Sequence, residues 1–353
     1  MPVKYRRYSG VIQVHTERCG GMTLEKILDA ARETKVDFVV ITERQMDEKA
    51  RKQSGWYGDV LVLVAEEFLH PDGEFLSLEC PESLHNARDI SYALDVVQRH
   101  SGAVCGTNFN LSDGVERRTL PKPLPVAKMD VVCLWSFLEE FVGRLSGDRI
   151  LTFHQRPERV LYGPARQHFI AWDQELLKRP LAAVGCVNAV CKKDPLLDWK
   201  EFFPYTTSFR TVRTMVYTEE LSENTQTACR AIWKALRTGR SYIYNHSLGK
   251  TNDFDFRFID CERNSYFPGD SIPYRPGGRV RLLAPSSCEL IIRRNGEPYF
   301  WGTEKELNLP VPCPGIYRAE VWSDRRLWIA TNPIRITRFE ERVTPPDSVM
   351  DFT

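Results

Sequence analysis

Up to about residue 205 the apolar positions come in short unbroken runs separated by amphipathic stretches; beyond it they alternate with polar ones. The runs are Val11 to Val14, Val36 to Thr42, Val60 to Ala65, Ala103 to Thr107, Val131 to Leu134 and Leu181 to Val187. Strands apolar at successive positions are buried on both faces, which predicts a parallel sheet covered by helices. Leu24, Ile27, Leu28 and Ala31 follow the first run at i, i+3, i+4 and i+7, with Thr23 placed as an N-cap. Ile90, Leu94 and Val97 repeat that spacing before the Ala103 run. Alternation of strand and helix predicts an α/β barrel or an open parallel sheet. Pro121, Pro123 and Pro125, after Arg117 and Arg118, mark a long loop.

A further helix is expected through Ala228, Ile232, Ala235 and Leu236, ending near Gly239. The pattern then turns to β. Asp253 to Ile259 alternates, Arg279 to Leu283 reads as a short strand, and Glu289 to Arg294 leads into Asn295-Gly296, the dipeptide of a type I′ hairpin. Tyr317 to Trp322 and Leu327 to Ala330 are expected to pair across a turn at Ser323-Asp324. Short strands with frequent turns predict a β-sandwich of roughly 85–95 residues, in the immunoglobulin-like size class. The expected division is an α/β unit over 1–215, a linking helix and connector over 216–250, a sandwich over 251–340 and an untethered tail over 341–353.

A chain of 353 residues is long enough for such a division. Its formal net charge of +1 lacks the basic excess of an electrostatic nucleic-acid binder, so no nucleic-acid partner is expected. Met1 to Arg7 has no apolar signal segment, and no apolar run nears the roughly 20 residues that cross a bilayer. Ten cysteines without a CxxC pair fit reduced thiols and a cytoplasmic location. Cys186 and Cys191 have no matching second pair for a metal.

The chemistry rests on Gly10-Val11-Ile12-Gln13-Val14-His15-Thr16 and Ile41-Thr42-Glu43-Arg44. The layout resembles the opening of the PHP (polymerase and histidinol phosphatase) family, where a strand ends in His-x-His-Thr and the next in Thr-Asp-His. Phe209 to Thr214, Glu220-Leu221-Ser222 and Ala235 to Ile243 extend the likeness to the carbaryl-hydrolase-like branch. The resemblance implies a distorted (β/α)7 barrel followed by an immunoglobulin-like β-sandwich. It also implies a metal site, since such hydrolysis needs imidazoles and carboxylates converging at strand ends to acidify a bound water.

Carried over position by position, the resemblance places Gln13 at the first histidine and leaves His15 at the second. Glu43 takes the aspartate position and Arg44 the histidine after it. Ala65-Glu66-Glu67 matches Gly-x-Glu and keeps Glu67, whereas Glu74 and Asn108 stand at two further histidine positions. Val187 and Ala189 fill the last two ligand positions. The expectation is a remnant cleft of Gln13, His15, Glu43, Arg44, Glu67, Glu74 and Asn108, with no metal or other cofactor. Arg44 would replace the metal charge by pairing with two of the three glutamates, and Arg44→Ala would then cost about 3–5 kcal/mol. Each residue also has an ordinary reading: His15 in the core, Glu67 and Glu74 solvated at a loop, Arg44 on the surface.

Two functions compete. The first is a catalytically inactive homologue that binds a small-molecule ligand or a protein partner, because removing several ligands at once destroys affinity and geometry together. The alternative is a metal-dependent hydrolase of phosphoesters, carbamates or amides, with zinc or manganese on His15, Glu43, Glu67 and Glu74. Metal-free acid–base chemistry by a perturbed glutamate is a weaker third.

Overall fold

Strand β1 (Arg6–His15) shows how the pattern is used. Its first half pairs antiparallel with β9 (Val212–Thr218), from Arg6↔Thr218 to Gly10↔Thr214. Its second half turns to another partner: Val187 N donates to Ile12 O at 2.9 Å, Ala189 N to Gln13 O at 2.9 Å, and His15 N back to Ala189 O at 3.0 Å. The computed structural model describes residues 5–107, 124–144, 156–191 and 203–338. The Pro121–Pro125 loop therefore lies mainly, and the 341–353 tail wholly, outside the described residues.

On its other edge β1 pairs parallel with β2 (Phe38–Glu43), and β2 parallel with β4 (Val60–His70), which also carries the short β3 (Gly55–Tyr57). Here the all-parallel expectation is corrected. β4 turns through Pro71-Asp72 into β5 (Gly73–Leu78) and pairs with it antiparallel, and β5 pairs antiparallel with β6 (Ala103–Gly106). A two-residue connection forces this, since a parallel return needs a dozen or more residues. From β6 to β7 (Val131–Ser136) and β8 (Ala182–Cys186) pairing is parallel again. The result is a mixed α/β fold on one large sheet.

The helix Leu24–Thr34 starts where the spacing predicted, with Thr23 Oγ1 accepting from Lys26 N at 3.5 Å and Ile27, Leu28 and Ala31 buried. These side chains cover Val39 and Ile41 of β2 and Val60, Val62 and Val64 of β4. Phe38, Val40, Leu61, Leu63 and Ala65 point to the opposite face, where they meet Ala228, Ile232 and Leu236 of the helix Thr225–Arg237. Residues two apart on a strand share a face. Buried Arg213 on β9 holds the frame together by donating to Phe209 O at 2.6 Å and Thr34 O at 2.8 Å, the C-terminal carbonyls of two helices.

β10 (Ser241–Asn245) pairs with β9 and, through its other edge, with β17 (Arg326–Thr331). The sheet thus runs on into the strands β11 (Asp255–Ile259), β12 (Ser265–Tyr266), β13 (Ser271–Pro273), β14 (Arg279–Arg294), β15 (Glu297–Pro310), β16 (Gly315–Ser323) and β18 (Ile334–Thr337). Asn295 and Gly296 both take positive φ, 55° and 87°, between the partners Arg294 and Glu297, as the type I′ turn demands. β16 and β17 pair as expected, around Asp324-Arg325. Arg279–Leu283 and Glu289–Arg294, expected as two strands, form one strand with an irregularity between Leu283 and Cys288.

A buried ion cluster ties β16 to the helix Arg166–Leu176. Arg318 donates two hydrogen bonds to Asp173 (2.7 and 2.6 Å) and one to Glu320 (2.7 Å), and stacks over Phe169 and Trp172. Asn332 joins the same regions: its amide accepts from Ala183 N at 2.7 Å and donates to Ala183 O at 2.8 Å, as a strand neighbour would. Among the described residues no helix is long and apolar enough to cross a membrane.

Candidate functional site

At the carboxyl ends of β1, β2 and β4 the chain leaves a cleft of about 510 Å³, whose lining includes His15, Arg18, Arg44, Glu67 and Asn188. Glu67 reaches it by alternation, continuing the face of Leu63 and Ala65. A bulge in β1 shifts the register between Ile12 and Val14, with Gln13 at φ 66°. The buried Gln13 amide lies beside Glu67 and acts to lower its pKa. Gln13 Oε1 has no hydrogen-bond partner among the described residues. Buried His15 places Nε2 3.2 Å from Asn188 Oδ1 and 4.0 Å from Glu67 Oε1. With Asn188 Oδ1 accepting, Nε2 carries the proton.

The Glu67 side chain is only 10% exposed. Burial pushes its pKa above the usual carboxylate range, and Arg44 and Gln13 offset this only in part. The reason is geometric. Arg44 Nε stands 3.7 Å from Glu67 Oε2, beyond hydrogen-bond length, and the arginine side chain is 60% exposed.

The expected bridge by Arg44 between two glutamates is therefore corrected: among the described residues it approaches Glu67 alone. Glu43 is withdrawn by the same alternation that delivers Glu67. It shares the face of Val39 and Ile41, where Thr16 Oγ1 donates at 2.7 Å, Gln53 Nε2 at 2.8 Å and Cys19 Sγ at 3.6 Å. Arg18 Nε lies 3.8 Å from it. Glu74 sits on β5 opposite Leu69, accepts from Thr107 Oγ1 at 3.1 Å and is not part of the cleft lining. Of the three carboxylates, Glu67 alone lines the cleft, and Glu43 lies on the other face of the pleat. Asn108 lies outside the described residues. Val187 and Ala189 are buried in the apolar cluster beneath the helix Leu24–Thr34 and fill space.

Sequence reasoning missed Asn188, Arg18, Cys19 and Cys191. Asn188 adopts the left-handed conformation, φ 47°, which turns its amide toward His15 although its neighbours are buried apolar residues. An asparagine interrupting the run Val187-Asn188-Ala189 was the available signal, because asparagine tolerates that conformation better than most residues. Arg18 is anchored by Asp47 at 2.7 Å. The Cys19 thiol is pushed up to about 11 by burial and by Glu43, which leaves it unreactive near neutrality. Cys186 is buried in the core.

Among the described residues no three of His, Cys, Asp and Glu gather closely enough to hold a metal ion. His15, Glu67, Cys19 and Cys191 are the ligand-type side chains in the cleft lining, and a guanidinium stands against the carboxylate.

No protein-family model and no curated protein matches the chain. Among solved structures, a two-domain protein from Bacteroides vulgatus containing a predicted PHP-like metal-dependent phosphoesterase aligns with 94% of this chain and 97% of its own, at 11% identity and a TM-score of 0.47.

Proposed function

We propose that this chain is a PHP-type homologue that no longer hydrolyses through metal ions and uses the remnant cleft to bind a small-molecule ligand. In this reading β1, β2 and β4 to β8 form a distorted seven-stranded barrel, drawn together by the bonds from Val187 and Ala189 to β1. Residues 251–338 form the immunoglobulin-like sandwich, joined through the connector 216–250. The observation that carries the reading is the Arg44 guanidinium set against Glu67, the one cleft carboxylate close to His15. A guanidinium beside that carboxylate opposes a second positive charge and leaves His15 as a lone nitrogen donor. The alternative hydrolase requires His15, Glu43, Glu67 and Glu74 on one ion, and Glu43 is already engaged by Thr16 and Gln53 on the other face of β2.

The test is elemental analysis of the purified protein, with phosphoester and carboxylester assays in added manganese or zinc. Metal far below stoichiometric amounts and no hydrolysis are expected. Stoichiometric metal, with activity abolished by His15→Ala, overturns the proposal.

A further inference from the structure

The cleft is polar along one axis. Its carboxylate is deep and its cation is at the rim: Glu67 is nearly buried beside Gln13, whereas Arg44 is mostly exposed. Their 3.7 Å separation leaves both with hydrogen-bonding capacity unspent. The other charged and polar groups are more committed. Arg18 is held by Asp47 at 2.7 Å and faces Glu43, and His15 donates to Asn188. Leu69 and Val190 contribute an apolar wall, and the volume of about 510 Å³ suits a small organic molecule.

Building on the ligand-binding reading above, we propose that the cleft takes a small zwitterion, an α-amino acid or short peptide. Its ammonium sits against Glu67, its carboxylate against the Arg44 guanidinium and its side chain along the Leu69 wall. An anion alone would pair with Arg44 and leave Glu67 buried without its partner. An amine alone would satisfy Glu67 and release Arg44 to water, a smaller penalty because that side chain is already exposed. The zwitterion answers both. Arg44 has the exposed, flexible stem needed to swing aside and admit it.

The structure therefore implies an order of affinity rather than a single hit. Isothermal titration at neutral pH would use L-leucine, L-leucylglycine, isoamylamine (leucine without its carboxylate) and 4-methylpentanoate (leucine without its amine). Leucine or its dipeptide is expected to bind tightest, the amine about tenfold more weakly and the acid weakest of all. Arg44→Ala should weaken the zwitterion about tenfold and bind the amine at least as tightly as the parent does, since no guanidinium then has to be displaced from Glu67. Glu67→Gln should abolish the preference for an ammonium, with its melting curve recorded to show that it folds.

An acid that binds as tightly as the zwitterion overturns the proposal, as does absence of binding by all four probes in protein free of metal. The latter result leaves the loss of metal chemistry standing. Stoichiometric metal in the preparation removes the reading on which the proposal rests.

Discussion

Two of the places where this molecule sets an arginine against a buried glutamate resolve the encounter in opposite ways. At the joint between β16 and the helix Arg166–Leu176, Arg318 is about 1% exposed and spends its donors on Asp173 and Glu320. Glu320 also receives Arg293 at 2.5 Å and Trp322 Nε1 at 3.0 Å. Burial alone would raise the Glu320 pKa, yet Arg318 and Arg293 outweigh it and hold the carboxyl below its usual range. At the cleft the guanidinium facing Glu67 stays mostly in water, and burial wins. Desolvation threatens both carboxylates; the number and length of the bonds returned decide the sign. A saturated cluster is a joint. An under-paired one retains capacity for something that arrives later.

Breaking the joint should have the largest effect. Arg318→Ala strands Asp173 and Glu320, and thermal melts should show a loss of about 3–5 kcal/mol. Acid should come next. Glu320 has a depressed folded-state pKa, so its stabilisation is complete above the ordinary glutamate value of 4.5 and is lost as pH falls through the depressed one. Glu67 has a raised folded-state pKa and contributes with the opposite sign: the fold gains from its protonation as pH falls through the raised value and bears a cost once it ionises. Glu67→Gln should therefore melt higher than the parent at neutral pH, by about 1 kcal/mol, with the gap closing in acid. A lower melting point at neutral pH would erase the contrast between the two sites. The smallest effect belongs to Arg44→Ala, about 0–1 kcal/mol by the same melts, in place of the larger cost expected for a buried bridge.

What could be read beforehand was what neighbours in the chain decide. The face of the helix Leu24–Thr34, its Thr23 cap and the Asn295-Gly296 turn are local matters of period and backbone preference, and each stands in the structure. The remnant-site residues were located on their strands but not on their faces. Glu66 and Glu67 are adjacent, and only the inward direction of Leu61, Leu63 and Ala65 decides which one meets the cleft. Glu66 instead accepts from Ser83 Oγ at 2.7 Å and Leu84 N at 2.8 Å. Alignment by motif put Glu43 beside Glu67 because it counts positions and ignores the side of the pleat. Asn188 was overlooked because its role comes from one left-handed residue, and Arg318 because its partner Asp173 is 145 residues away.

The seam at β10 has a consequence for anyone dividing the chain. That strand takes β9 on one edge and β17 on the other, so no unpaired backbone separates the two regions. Truncation after the connector would uncover Tyr242, Ile243 and Tyr244, a ready template for another chain, and the shortened product should aggregate where the intact protein does not. Heating the intact protein should accordingly produce one cooperative transition spanning both regions.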